Sequence, residues 1–132
     1  MVVLLDSSVL IALTTPEHQF HNLAAAWMAR GSAFATTPIT QGAVLRFLIR
    51  YGARSDDAVA VLSSIVALDR HEFWADDLPY DSAMLKHVTG HAQVTDAYLL
   101  ALAQAHHGRI ATFDRALAAV RPEVVELLVG EP

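Results

Sequence analysis

The chain has 132 residues, 54% hydrophobic and 17% charged, with a formal net charge of −5, which suits one compact domain with a sizeable core and excludes a disordered chain. It has no cysteine, so disulfides, thiolate nucleophiles and zinc–thiolate centres are excluded. No apolar run approaches the roughly 18 residues of a membrane-spanning helix, and Met1 leads straight into Val2-Val3 with neither a basic region nor a small-residue cleavage site, so no signal peptide and no membrane are expected, and the expected compartment is the cytoplasm.

Val2–Leu5 is a continuous apolar run of strand length, suited to burial on both faces. Ser7–Thr14 reads as a short helix punctuated by Pro16. From Glu17, the spacing of Phe20, Leu23, Ala24, Trp27 and Met28 predicts a helix that Gly31 ends. Ala33–Thr36 is a candidate second strand. Pro38 opens a helix through Val44, Leu45, Leu48 and Tyr51, stopped at Gly52. Ser55-Asp56-Asp57 reads as an N-cap with acids in the first turn of a helix reaching Val66. His71–Trp74 is a strand candidate, and Asp76, Asp77, Pro79 and Asp81 mark a loop. A short helix is expected near Ser82–Val88, ended by Gly90. Thr95 caps the strongest helix, Asp96–His107, closed by Gly108. Arg109–Phe113 reads as a strand, Asp114–Val120 as a short helix, and Glu123–Leu128 as a last strand. This alternation predicts an α/β fold, a mostly parallel central sheet flanked by helices, formed by residues 1–132 as one domain.

Three aspartates stand out by position. Asp6 follows the first strand, Asp114 follows a late strand, and Asp96 lies at the start of the strongest helix. Side chains just past the carboxyl ends of strands meet on one rim, where α/β folds place ligands. Carboxylates gathered there repel one another unless a hard cation lies between them. Asp6 and Asp114 have an alternative as helix caps, whereas Asp96, with Thr95 beside it, is needed least for capping. A magnesium-type ion held by these acids would activate water for in-line attack on phosphorus. Ser8 and Thr112, two residues from Asp6 and Asp114, are candidates to orient those carboxylates.

The acidic balance, with Lys86 the sole lysine, argues against non-specific grip on long duplex nucleic acid. It leaves room for a small RNA-handling enzyme whose acids are neutralised by metal, and for a basic partner segment. Arg46 and Arg50 share one helix face, with Arg54 beyond Gly52, as phosphate contacts or as a solvated face. His87 and His91 have the spacing of helical zinc ligands, but Gly90 intervenes and no third ligand is evident. His91 is a candidate phosphate donor from the loop before Asp96. His106 and His107 suit a helix C-terminus, and His18 and His21 a helix surface. Phe20, Trp27, Met28, Val44, Leu45 and Leu48 read as core, some of whose surface could serve a dimer or a partner helix.

The segments Asp6-Ser7-Ser8-Val9-Leu10-Ile11, Gly90-His91-Ala92-Gln93-Val94-Thr95-Asp96-Ala97-Tyr98 and Ala111-Thr112-Phe113-Asp114 resemble the landmarks of PIN domains, specifically VapC-type toxins of bacterial toxin–antitoxin pairs. The resemblance spans nearly the whole chain. It implies a magnesium- or manganese-dependent endoribonuclease, a homodimer, and inhibition by a cognate VapB-type antitoxin. Asp6, Asp96 and Asp114 would be its metal ligands, and Arg46 gains weight as a site residue.

One position departs from the family pattern. The second acid usually lies in an Ile-Thr-Glu-like segment, and here Ile39-Thr40 is followed by Gln41. Glutamine offers a neutral carbonyl oxygen but no charge, so weaker metal affinity or a single metal is expected. A catalytically impaired binding module of the same fold is the alternative reading. A phosphoacceptor of receiver or haloacid-dehalogenase type fits poorly, because Lys86 follows no late strand and Ser8 stands where the latter type has a second aspartate.

Overall fold

The computed structural model describes residues 1–129. Five short strands, β1 (Val3–Leu5), β2 (Phe34–Thr36), β3 (His71–Phe73), β4 (Arg109–Thr112) and β5 (Val125–Leu127), form one sheet in the order β3-β2-β1-β4-β5. Every pairing is parallel, with Leu4 opposite both Ala35 and Ile110, and Ile110 opposite Val125. Parallel neighbours require crossovers, which α1 (Ser7–Thr14), α2 (His21–Ala29), α3 (Pro38–Arg50), α4 (Ser55–Val66), α5 (Val94–Ala105) and α6 (Arg115–Val120) supply.

The sheet is covered on both sides, so its strands are apolar without alternation, and the period of two decides which core each residue enters. Val3, Leu5, Phe34 and Ala111 face one core with Val9 and Leu10 of α1, Trp27 of α2 and Val44 of α3. Leu4, Ala35 and Ile110 face the other, with Tyr98, Leu99 and Leu102 of α5 and Leu117 of α6. Leu4, Leu5, Leu10, Leu99 and Leu102 are fully buried, each contributing about 1.5–3 kcal/mol. The chain winds outward from β1 to β3, then returns across the opposite face to β4. The connections therefore reverse direction between β1 and β4, the point where open α/β sheets bind ligands.

Several expected boundaries are corrected. The second helix begins at His21 rather than Glu17, because two turns after Pro16 take up the intervening chain: His18 N–H donates to the Thr15 carbonyl at 2.9 Å and His21 N–H to the His18 carbonyl at 3.0 Å. Ser55 is the first helical residue of α4, and Arg54 takes the capping position without a side-chain bond. Ser82–Val88 forms turns, not a helix. Its amide bonds alternate between partners three and four residues back, as in Leu85 to Asp81 and Lys86 to Ala83, and a segment this short, exposed but for Met84, Leu85 and Val88, has too little packing to propagate a ladder. Thr95 lies inside α5, whose first turn grows out of a 3-10 turn at His91–Gln93. The residue with left-handed backbone after α5 is His107, at φ 56°, not Gly108. Gly108 is needed for another reason, since a Cβ there would collide with the Val2 carbonyl oxygen and press on Trp74.

Candidate functional site

At the reversal point the end of β1 delivers Asp6 to the carboxyl rim of the sheet. Its N–H completes the ladder to the Ala111 carbonyl at 3.0 Å, and its own carbonyl accepts the first α1 amides, Val9 and Leu10. The Asp6 carboxylate is buried and held from three sides. Oδ1 accepts the Ser7 N–H at 2.7 Å, and Oδ2 accepts the Ser8 hydroxyl at 3.2 Å and the Thr112 hydroxyl at 2.7 Å. Thr112 itself has no exposure, and its oxygen accepts the Asp114 N–H at 3.1 Å. The Ser8 and Thr112 hydroxyls thus both bond the Asp6 carboxylate, and Thr112 makes no bond to the Asp114 carboxylate among the described residues.

Asp114 follows β4 and caps α6, with Oδ1 accepting the Ala116 and Leu117 amides at 2.9 and 3.2 Å. Asp96 enters from α5, half-buried in the first turn, with no side-chain hydrogen bond within the protein among the described residues. The three aspartates line one open basin with Ser7, Ser8 and Phe113. Phe113 was not singled out in the sequence, because an aromatic after a strand reads as core. Its ring lies against Phe20, centroids 4.8 Å apart, and it forms part of the basin's lining.

The electrostatics report the convergence of the acids. Burial pushes the Asp96 carboxyl up to about 6, and the charges of Asp6 and then Asp114 add to the effect. Burial likewise raises Asp6 above the ordinary aspartate range, opposed by bonds from Thr112, Ser7 and Ser8 and reinforced by Asp114. Each carboxylate makes ionisation of the others harder, the condition a divalent cation relieves. Among the described residues, no three acidic or histidine side chains are grouped closely enough to form a ready-made cage. Magnesium fits this arrangement better than zinc does, since it takes oxygen donors, binds through one or two carboxylates and keeps several waters. The donor set, three carboxylates facing one basin, therefore suits a hard divalent ion such as magnesium or manganese.

Gln41 lies one turn into α3 on the same rim, half-buried and outside the basin's lining. Its Nε2 donates to the Thr36 hydroxyl at 3.0 Å, and that oxygen lies 2.7 Å from His71 Nε2. Burial lowers the His71 imidazole below its ordinary value, against the raising influence of Glu72 and of the Val66 backbone. A neutral His71 accepting from Thr36 satisfies the whole chain and fixes the amide with its NH2 turned inward, leaving the Gln41 carbonyl oxygen free. Thr36 and His71 were not foreseen in the sequence, because strands β2 and β3 had to be paired before they met.

Arg46 is exposed, with its guanidinium folded back towards the start of α3: a Cβ on Gly42 would lie 3.2 Å from Nη1. Arg50 lies near the Tyr51 ring, 6.0 Å from its centroid. His91 is exposed and does not line the basin. His21 ties α2 to α1 through Nδ1 and the Ala12 carbonyl at 2.9 Å, and His106 stacks on Trp74 at 3.9 Å.

Comparison with known proteins matches residues 3–122 to the family model for the PIN domain. Ribonuclease VapC29 of Mycobacterium tuberculosis is 47% identical over 129 residues, covering 97% of each chain. Ribonuclease VapC39 of the same organism is 38% identical over 128 residues, covering 89% of this chain and 92% of its own. Among solved structures, Mycobacterium tuberculosis VapC20, a sarcin–ricin loop cleaving toxin, aligns with a TM-score of 0.70 at 16% identity, over 92% of this chain and 95% of that one. VapBC2 of Rickettsia felis, bound to a DNA fragment from its promoter, aligns with a TM-score of 0.66 at 12% identity, over 98% and 100%. At such identities the two structures speak to the fold alone, and they agree with the topology described above.

Proposed function

The chain belongs to the PIN domain family, and from that membership we propose that it is a divalent-metal-dependent endoribonuclease, the toxin of a toxin–antitoxin pair. The observation that supports this reading best is the basin where Asp6, Asp96 and Asp114 converge and Asp96 is pushed up to about 6. Capping accounts for Asp6 and Asp114, which accept amides at helix starts, but not for Asp96, which accepts none among the described residues.

In this reading Asp6 and Asp96 hold magnesium or manganese, and Asp114 completes the set with the oxygen that capping leaves free. The bound ion supplies a water of lowered pKa and neutralises charge on the phosphoryl oxygens. The protein supplies orientation. Ser7, Ser8 and Thr112 lock the Asp6 carboxylate, and the bond from the Thr112 oxygen to the Asp114 amide fixes the β4–α6 turn against it. Phe113 limits water access on one side, and Arg46 is free to meet a phosphate of the RNA strand. Gln41 adds a neutral acceptor at the rim.

The partners in this reading are RNA as substrate, a VapB-type antitoxin and a second copy of the chain, with action in the cytoplasm. Among the described residues no helix is long and apolar enough to cross a membrane. Trp27, Met28 and Val44 are buried in the protein's own core, so a partner helix would find apolar surface instead at Ile49 on α3 and Val59 on α4, which are exposed.

The test is cleavage of an RNA panel by wild type, Asp6→Asn and Asp96→Asn in graded manganese and in chelator. Wild type is expected to cut only with metal, and both variants to lose cleavage while staying folded by circular dichroism. Full activity in either variant, or wild-type cleavage in chelator, overturns the assignment.

A further inference from the structure

Beside the acid basin a groove of about 170 Å³ runs between α5, α6 and the 82–93 segment. Asp96 and Asp114 line both, so the groove opens directly onto the reacting centre. Its floor is Ala97 and Ala101, one helical turn apart on α5, and its walls include Leu100, Leu117, Met84 and Val88. The small side chains on α5 leave the space that larger ones would fill, and Leu100 and Leu117 give it a dry base. An apolar cavity of about 150 Å³ accepts benzene, and this groove is of the size of a single aromatic heterocycle.

One polar group at its edge is held in a fixed orientation. Gln93 Oε1 accepts both the Thr89 N–H at 2.7 Å and the Thr89 hydroxyl at 3.2 Å. The Gln93 NH2 is thereby presented as a donor, the kind of group that reads a base edge. Sequence-specific RNA recognition works on unstacked bases that are splayed out, sandwiched and hydrogen-bonded along an edge.

We propose that this groove is a nucleobase subsite, which takes one unpaired base of the RNA strand next to the scissile phosphate and reads its edge with the Gln93 amide. The inference rests on the ribonuclease reading of the adjoining acids. Continuity with the basin singles out a base over other apolar ligands, since a phosphate held at Asp6 and Asp96 leaves the neighbouring base at the groove mouth. Aliphatic walls and the Met84 thioether pack against either ring face.

Two experiments test it. In the first, the four ribonucleoside monophosphates and ribose 5-phosphate are titrated into the protein in magnesium buffer. The Met84 methyl and Gln93 side-chain NH2 signals are followed by NMR. The nucleotides are expected to shift both signals saturably, ribose 5-phosphate neither, and Ala101→Leu to abolish the response. Equal shifts with ribose 5-phosphate, or nucleotide shifts confined to the basin, overturn the subsite.

In the second, wild type, Ala101→Leu and Gln93→Ala cut a single-stranded RNA library randomised at every position. Filling or stripping the groove is expected to reduce base preference on one side of the cut bond by about tenfold or more. Unchanged preference in both variants overturns the subsite while leaving the ribonuclease reading intact. Failure of wild type to cut RNA overturns both. A change in oligomeric state of Ala101→Leu by light scattering, with base preference kept, assigns the groove to a second copy instead and overturns the proposal.

Discussion

Asp96 occupies a position where charge is costly, half-buried and facing two other acids. Its carboxyl is raised in the folded chain, so the folded protein holds that proton more tightly than the unfolded one. The resulting stabilisation is complete below the unfolded aspartate value near 4 and is lost as pH rises through about 6. Metal-free Asp96→Asn is therefore expected to melt higher than wild type at pH 7.5 and no higher at pH 4, measured by calorimetry in chelator. A lower melting temperature for the variant at pH 7.5 would show that the carboxylate is not under strain. Thr112→Val removes the buried hydroxyl that donates to Asp6 Oδ2. It is expected to weaken manganese binding or activity about 10–100-fold, read by calorimetric titration and RNA cleavage. At this scale the sequence shows the acids plainly, because each stands where an apolar strand run gives way to a helix. It does not show what holds them, since Thr112 lies 106 positions from Asp6 and only strand pairing brings the two together.

The chain of bonds from Gln41 through Thr36 to His71 joins α3, β2 and β3. Gln41→Glu cannot donate to Thr36, so the hydroxyl turns to the new carboxylate and His71 Nε2 is left to donate in its place. The His71 imidazole is then expected to titrate at higher pH than in wild type, by NMR, and cleavage at limiting metal is expected to improve with the added charge. An unchanged metal response would show that Gln41 is no handicap. The start of α3 has a capping box between Thr37 and Thr40, with Pro38 as its first residue. Thr37→Ala is expected to cost about 1 kcal/mol in denaturant unfolding. The helix interiors were legible from apolar spacing, as Ser7–Thr14 and Ser55–Val66 show. The ends at Glu17, Ser55 and Thr95 were not, because a good capping residue on its own does not compete with turns and 3-10 geometry fixed by neighbouring chain. The 82–88 segment misled for a related reason, its apolar residues lining a groove rather than packing as a helix face.

For the molecule as a whole, the proposed metal site would couple metal binding to folding through the same carboxylates. Anything that binds only the folded chain raises its stability, by about 2.7 kcal/mol at a hundred times its dissociation constant. Wild type is expected to melt progressively higher as manganese is added, and Asp6→Asn to respond far less, by scanning fluorimetry. Equal shifts in both would place the metal elsewhere. The layer architecture was readable from the alternation of strand and helix runs. The strand order was not, because nothing in the sequence says that β4 returns to pair with β1. That pairing makes the first acid hostage to a distant strand. A fragment without residues 111–112 keeps the Ser7 and Ser8 bonds to Asp6 but loses the Ala111 carbonyl and the Thr112 hydroxyl. The Asp6 carboxylate is therefore clamped from all sides only when both halves of the sheet are joined, and splitting the chain between them separates the acid from half of its clamp.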